Sequence, residues 1–123
     1  MKKFILFYAF LKRITEAFKE NKIVVVAGFQ GINDFGDITT LGRGGSDTTA
    51  LAIGALFNHN VEIYSNYDGV YFGDPELLPF KKAKQININT MLNMSLCGAK
   101  VIDSRAITIA KNKNVEIISK SAT

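Results

Sequence analysis

The sequence predicts an α/β fold, with helices layered on a mainly parallel sheet, and three observations predict it. "IVVVAGF", Ile23–Phe29, is a near-continuous apolar run rich in β-branched residues, as expected of a strand buried on both faces. "VEIYS", Val61–Ser65, and "VEIIS", Val115–Ser119, are shorter strand-like runs. Segments of helical period lie between them, and strands alternating with helices pair in parallel through crossover connections.

In chain order, residues from about Leu6 to Lys19 read as a helix with Arg13, Glu16, Lys19 and Glu20 on its polar side. Its beginning, "MKKFILFYAFLKR", sets eight largely apolar residues, Phe4–Leu11, between basic flanks, superficially like a signal peptide. No small-residue cleavage site follows and eight residues are too few to span a bilayer, so an amphipathic helix is expected and a membrane partner is not. After the first strand, "GINDFGDITT" has the turn chemistry of a short hairpin, with Asn33-Asp34 and Gly36-Asp37 at the bends. A glycine-rich stretch leads into a helix running to about Asn58. Ser46 or Asp47 can cap it, and Ala50, Leu51, Ile53, Ala55 and Leu56 give it an apolar body. Beyond Val61–Ser65 comes a long loop, "NYDGVYFGDPELLP", then helices over Asn89–Leu96 and Asp103–Asn112, then the last strand. Ligands of such sheets sit beyond strand C-termini, which directs attention to the loops at Gly28, Ser65 and Ser119.

The totals set bounds on function. A chain of 123 residues is one domain with room for a real core, and 47% hydrophobic with 21% charged residues is ordinary globular composition. The single Cys97 excludes an intrachain disulfide and fits a reducing, cytoplasmic setting; the single His59 leaves no Cys/His zinc cluster. The net charge of +4 favours anionic ligands such as nucleotides, but the basic residues are scattered. Only Lys81, Lys82 and Lys84 cluster; they read as a solvated loop, and no nucleic-acid partner is expected.

The chemistry concentrates in "TTLGRGGSDTTALAIGAL", Thr39–Leu56. The glycines of "GRGG" permit positive φ and close backbone approach to a ligand. The helix that follows offers free N–H groups and a positive dipole end to an anion, and Arg43 adds a planar fork for a carboxylate or phosphate. Asp47 argues against a simple phosphate cradle, since its charge suits magnesium or a lysine instead. A capped helix after a flexible turn would use the same residues. The stretch is neither a P-loop nor a dinucleotide fingerprint, because it lacks the lysine-serine/threonine ending of one and the glycine spacing of the other.

"GFQGI" (Gly28–Ile32), "TTLGRGGSDTTA" (Thr39–Ala50), "DGVYFGDP" (Asp68–Pro75) and "GAKV" (Gly98–Val101) together resemble the aspartate kinases, in the order and about the spacing of the second half of that family's catalytic domain. The resemblance runs from about Ile14 to the end. It divides the chain into a non-matching helical segment, 1–13, and the C-terminal half of an amino acid kinase domain, 14–123, with no ACT domain. It implies an αβα sandwich of the amino acid kinase (carbamate kinase-like) type, here incomplete. It also implies transfer of the γ-phosphoryl of ATP to the β-carboxylate of L-aspartate, the first step towards lysine, threonine and methionine.

By the same resemblance, Arg43 and Ser46 would hold the substrate aspartate. Asp47 would organise the lysine and the Mg2+ carried with the nucleotide. Ser65 and Asn66 would frame the nucleotide, with Tyr71 and Asp74 near ribose and phosphates. Lys100, with Val101 beside it, would reach the phosphates, which makes Asp47 and Lys100 the catalytic pair. No metal ligand of the protein's own is expected.

The departures are specific. Ser65-Asn66 stands where the family usually has threonine-aspartate, removing a negative charge beside the nucleotide. Ile102-Asp103-Ser104-Arg105 follows "GAKV" where the family has a histidine-proline, adding a negative charge near Lys100. The family's N-terminal lysine-aromatic-glycine-glycine-threonine-serine motif and its acidic substrate-binding residue have no counterpart here. The expectation is therefore a nucleotide-binding half that needs a complementing N-terminal half for activity. The alternative is a non-catalytic remnant that binds nucleotide weakly, or an interaction module, in which exposed apolar faces favour a homo-oligomer or partner.

Overall fold

Two helices reverse into two parallel strands, and that repeated reversal sets the architecture. The computed structural model describes residues 2–73, 76–99 and 101–122, with side chains described from residue 11 onward. The elements are α1 (Lys2–Lys19), β1 (Gln30–Ile32), β2 (Ile38–Thr40), α2 (Gly45–Phe57), β3 (Val61–Ser65), α3 (Ile88–Leu96), α4 (Ser104–Lys113) and β4 (Ile117–Ser121). α2 ends at Asn58 and α4 at Asn114, both in the left-handed conformation that asparagine tolerates. Each helix thereby turns back into a strand: α2 into β3, α4 into β4.

β3 and β4 pair in parallel, from Val61 opposite Ile117 to Ser65 opposite Ser121. The chain between them supplies α3 and α4, so the connection is the crossover expected of an α/β layer. Since both helices run against the strands they precede, the N-termini of α2 and α4 and the C-termini of β3 and β4 fall at one end. Ligands of open α/β sheets bind at that end.

The core lies between these elements. Leu51, Val61, Met91, Ile102, Ala106, Ile107, Ala110 and Val115 form one buried cluster, and Leu51 and Ile107 are 0% exposed. Burying each of those two side chains contributes roughly 1.5–3 kcal/mol. α2 packs on α4 and β3, and α3 on α4. Gly54 makes the α2–β3 approach possible: a Cβ there would run into Val61 Cγ2 and sit 3.1 Å from the His59 carbonyl.

β3 forms over Val61–Ser65 and α3 and α4 lie within a residue of their expected bounds. The hairpin is also borne out: β1 and β2 pair antiparallel, and Asn33 Oδ1 accepts from the N–H groups of Phe35 and Asp37, closing the turn. β4 begins two residues later than expected. Val115 is buried, but it feeds the core before pairing starts, and Val61 N–H donates to the Glu116 carbonyl at 3.0 Å.

The expected strand Ile23–Phe29 is corrected. Residues 22–28 carry no strand, and Ile23 and Val25 are 94% and 91% exposed. A strand exists by sharing its N–H and C=O groups with a neighbour, and no other described segment pairs with this one. Its side chains still alternate with period two, Val24 and Val26 half-buried between exposed Ile23, Val25 and Ala27. A groove of about 430 Å³ separates it from Arg13 and Ile14 of α1. α1 itself continues unbroken through residues 13 and 14 and sets Phe18 edge-on to Phe57 of α2, with ring centroids 5.5 Å apart. No described helix is long and apolar enough to cross a membrane.

Candidate functional site

The glycine loop gets its shape from two left-handed residues, Gly42 (φ 77°) and Gly44 (φ 74°). Gly44, not Ser46 or Asp47, occupies the N-cap of α2, and no side chain caps the helix. The expected capping role is therefore corrected. Ser46 and Asp47 lie inside the first turn, where a carboxylate interacts favourably with the helix dipole. Two independent contacts require glycine here. A Cβ on Gly44 would come within 2.5 Å of the Asp103 side chain, and one on Gly45 within 2.8 Å of Leu41.

The loop meets the "GFQG" segment. Leu41 N–H donates to the Phe29 carbonyl at 2.8 Å, and Gly28 lies so close to Ser46 that a Cβ would sit 3.3 Å from its Oγ. Arg43 and Ser46 are exposed and Asp47 is half-buried. The structure thus brings Arg43, Ser46 and Asp47 together at the start of α2, facing the end of segment 22–28.

The start of α4 adjoins this loop. Asp103 caps α4, its Oδ1 accepting from Arg105 N–H at 3.0 Å, and its own N–H donates to Asp47 Oδ2 at 3.5 Å. The N-termini of α2 and α4 therefore converge; α2 has no side-chain cap and its dipole end suits an anion, whereas Asp103 already occupies the start of α4. The Arg105 guanidinium makes bonds of 2.8 and 3.2 Å to the two Asp103 oxygens. It also donates to the carbonyls of Leu41 and Arg43, each at 2.7 Å. That bonding holds the Asp103 carboxyl below its ordinary pKa against the opposing effect of desolvation. The extra charge of Asp103 is therefore taken up by Arg105.

The other residues expected at the site sit on the loop leaving β3. Ser65 Oγ donates to the Tyr67 carbonyl at 2.9 Å and accepts from Tyr67 N–H at 3.2 Å, turning the chain at the strand end; Asn66 is exposed on that turn. Tyr71 Oη donates to Asp68 Oδ1 at 2.6 Å, and Lys82 Nζ donates to Asp68 Oδ2 at 2.6 Å. A bridge between Tyr71 and Lys82 joins the two arms of the loop. The hydrogen bond from Lys82, then that from Tyr71, lowers the Asp68 pKa, while bonding to Asp68 raises those of Tyr71 and Lys82. Lys81, Lys82 and Lys84 are all exposed, as a solvated loop requires, and Lys82 also ties the loop closed through Asp68.

Val101 is half-buried and packs against the core cluster. Asp74 and Lys100 lie outside the described residues. Sequence reasoning gives no bonding role to Arg105, Asp68 or Lys82, although it names all three. Asp68 opens "DGVYFGDP" and was within reach of motif reading. Arg105 acts on backbone carbonyls, which leave no trace in a residue pattern.

Helices reversing into a parallel pair, with two helix N-termini and a left-handed glycine loop at the strand ends, define an α/β protein whose candidate ligand site lies at those ends. The chain matches the profile described as "Amino acid kinase family" over residues 7–119, and it belongs to that family. It is 46% identical over 113 residues to the aspartokinase of Helicobacter pylori, covering 90% of this chain and 28% of that protein. It is similar to E. coli aspartokinase III, solved in complex with aspartate and ADP in the R-state. The TM-score is 0.78 at 30% identity, over 83% of this chain and 23% of that one. Aspartate kinase from Synechocystis matches with a TM-score of 0.73 at 42% identity, over 89% of this chain and 19% of that one. The chain thus spans little more than a quarter of the curated relative and less of the solved ones.

Proposed function

We propose that this chain supplies the nucleotide-binding half of an aspartate kinase, which transfers the γ-phosphoryl of ATP to the β-carboxylate of L-aspartate. The observation that carries the reading is the convergence of the α2 and α4 N-termini beside Arg43, Ser46 and Asp47, at the C-terminal end of β3 and β4. In that reaction a β-carboxylate oxygen bonds to the γ-phosphorus as the bond to the β–γ bridging oxygen breaks, and ADP leaves. The substrate is its own nucleophile, so the protein's work is to place two anions and offset their charge.

In this reading Arg43 and the exposed Ser46 hold aspartate carboxylate oxygens. Ser65, Asn66, Tyr71 and Asp74 frame the nucleotide, and Lys100, beside Val101, meets the phosphates. Mg2+ arrives with ATP. Among the described residues no three metal-ligating side chains gather, and a nucleotide-borne Mg2+ asks for only one or two carboxylates. The half-buried Asp47 at the start of α2 fits that demand. The single Cys97 suits a reducing, cytoplasmic setting for this chemistry.

A complementing N-terminal half completes the site in this reading, and exposed Ile23 and Val25 support a partner there. Those residues also favour a second reading, a non-catalytic interaction module that self-associates. Co-expression with the N-terminal half of an aspartokinase separates the two. The first reading expects aspartate-dependent ADP release from the reconstituted pair, lost in Arg43→Ala. A stable pair without ADP release would overturn it in favour of the second.

A further inference from the structure

We propose that Arg105 is a positioning residue for the glycine loop, holding the 41–44 backbone so that the Gly42 and Gly44 N–H groups turn away from α4 and stay free to donate. One guanidinium takes both the Leu41 and the Arg43 carbonyl, each at 2.7 Å. Those two residues flank Gly42, whose left-handed φ would otherwise interconvert freely. A trans peptide directs its C=O and the following N–H to opposite sides. Pinning the carbonyls of residues 41 and 43 toward α4 therefore turns the N–H groups of Gly42 and Gly44 away from it. Neither N–H donates to a backbone carbonyl among the described residues, so both remain donors for an incoming carboxylate or phosphate.

Asp103 sets the guanidinium in place. Its two oxygens take Nε and Nη2, and its cap bond fixes the carboxylate to the start of α4. The side chain next to Gly44 is this same carboxylate, so the turn of α4, the fork and the glycine loop form one contiguous assembly. A lysine cannot reproduce it, because a single ammonium does not present a planar fork to two carbonyls and a carboxylate together. The consequence for aspartate rests on the reading of Arg43 given above; the brace itself does not.

Amide hydrogen exchange, resolved residue by residue on the full chain, tests the proposal. Gly45 N–H, bonded to the Gly42 carbonyl at 3.0 Å, reports the loop, and the β3–β4 amides report the fold. In Arg105→Ala the Gly45 amide is expected to exchange about tenfold faster, with β3–β4 protection unchanged. An unchanged Gly45 amide, or equal acceleration across β3–β4, would overturn the brace. Arg105→Lys decides it if the alanine variant does not fold: loop protection lost as in alanine supports the fork, and full rescue by lysine overturns it.

Titration with L-aspartate in the presence of the complementing half reads the consequence. About tenfold weaker binding in Arg105→Ala, in step with the exchange, supports the positioning role, and unchanged affinity overturns it. A wild-type pair that binds no aspartate would instead remove the substrate role of Arg43, with the exchange comparison still deciding the brace.

Discussion

Ile107 and Val25 are both β-branched, both sit in apolar surroundings in the sequence, and end in opposite environments. Ile107 is 0% exposed, enclosed by α2, α3 and the approach to β4; Val25 is 91% exposed on a segment that pairs with nothing described. The difference teaches that an apolar run records a demand for burial, and the neighbours that meet it are a separate matter. Around Ile107 they lie within the chain. Around Val25 no described residue supplies them, and the chain spans only about a quarter of its curated relative.

The sharpest way to break this comparison is to truncate both side chains. Ile107→Ala is expected to cost about 2–5 kcal/mol in urea unfolding, because it leaves a cavity in the only large buried cluster of the described residues. A loss under 1 kcal/mol would show that the cluster is loosely packed.

Gly44→Ala comes next, at about 2–3 kcal/mol, since the residue combines a left-handed φ with an approach to Asp103 that leaves no room for Cβ. The same denaturation experiment checks it, and Gly36→Ala is the control for positive φ alone, because nothing lies within 4 Å of a Cβ there.

Asp103 gives a smaller, pH-dependent effect. Its folded pKa is depressed by Arg105, so its contribution is complete above the ordinary aspartate value of 3.8 and is lost as pH falls through the lower folded value. Asp103→Asn should lower thermal stability most at neutral pH, where the ionised carboxylate contributes in full, and converge with wild type as pH falls, which flattens the acid limb. An acid limb identical to wild type would remove the linkage.

The smallest effect is Val25→Ala, expected within about 0.5 kcal/mol for the chain alone. It sharpens the comparison if the same change weakens association with a complementing half.

What was legible follows from range. β3, α3 and α4 could be read because their signals are local: Asn87 and Asp103 each accept from the N–H two residues on, at 2.9 and 3.0 Å, and announce their helices. β4 starts later than the sequence predicts because Val115 is apolar for the core rather than for the ladder. The loop of Arg43, Ser46 and Asp47 was legible because left-handed turns demand glycine. The cap was not, since Gly44 took the place that serine and aspartate usually fill. The Arg105 brace crosses 62 and 64 positions to reach its two carbonyls, and any residue could supply those acceptors. No pattern in the sequence could mark it.

The central proposal is that this chain is the half that holds the nucleotide, with Asp47 and Lys100 at its phosphates. Calorimetric titration of the purified chain with MgADP, repeated on Asp47→Ala and Lys100→Ala, tests it most directly. Saturable binding that weakens in both variants is the predicted result. A folded chain that binds no MgADP, or binds it equally in all three forms, would contradict the account.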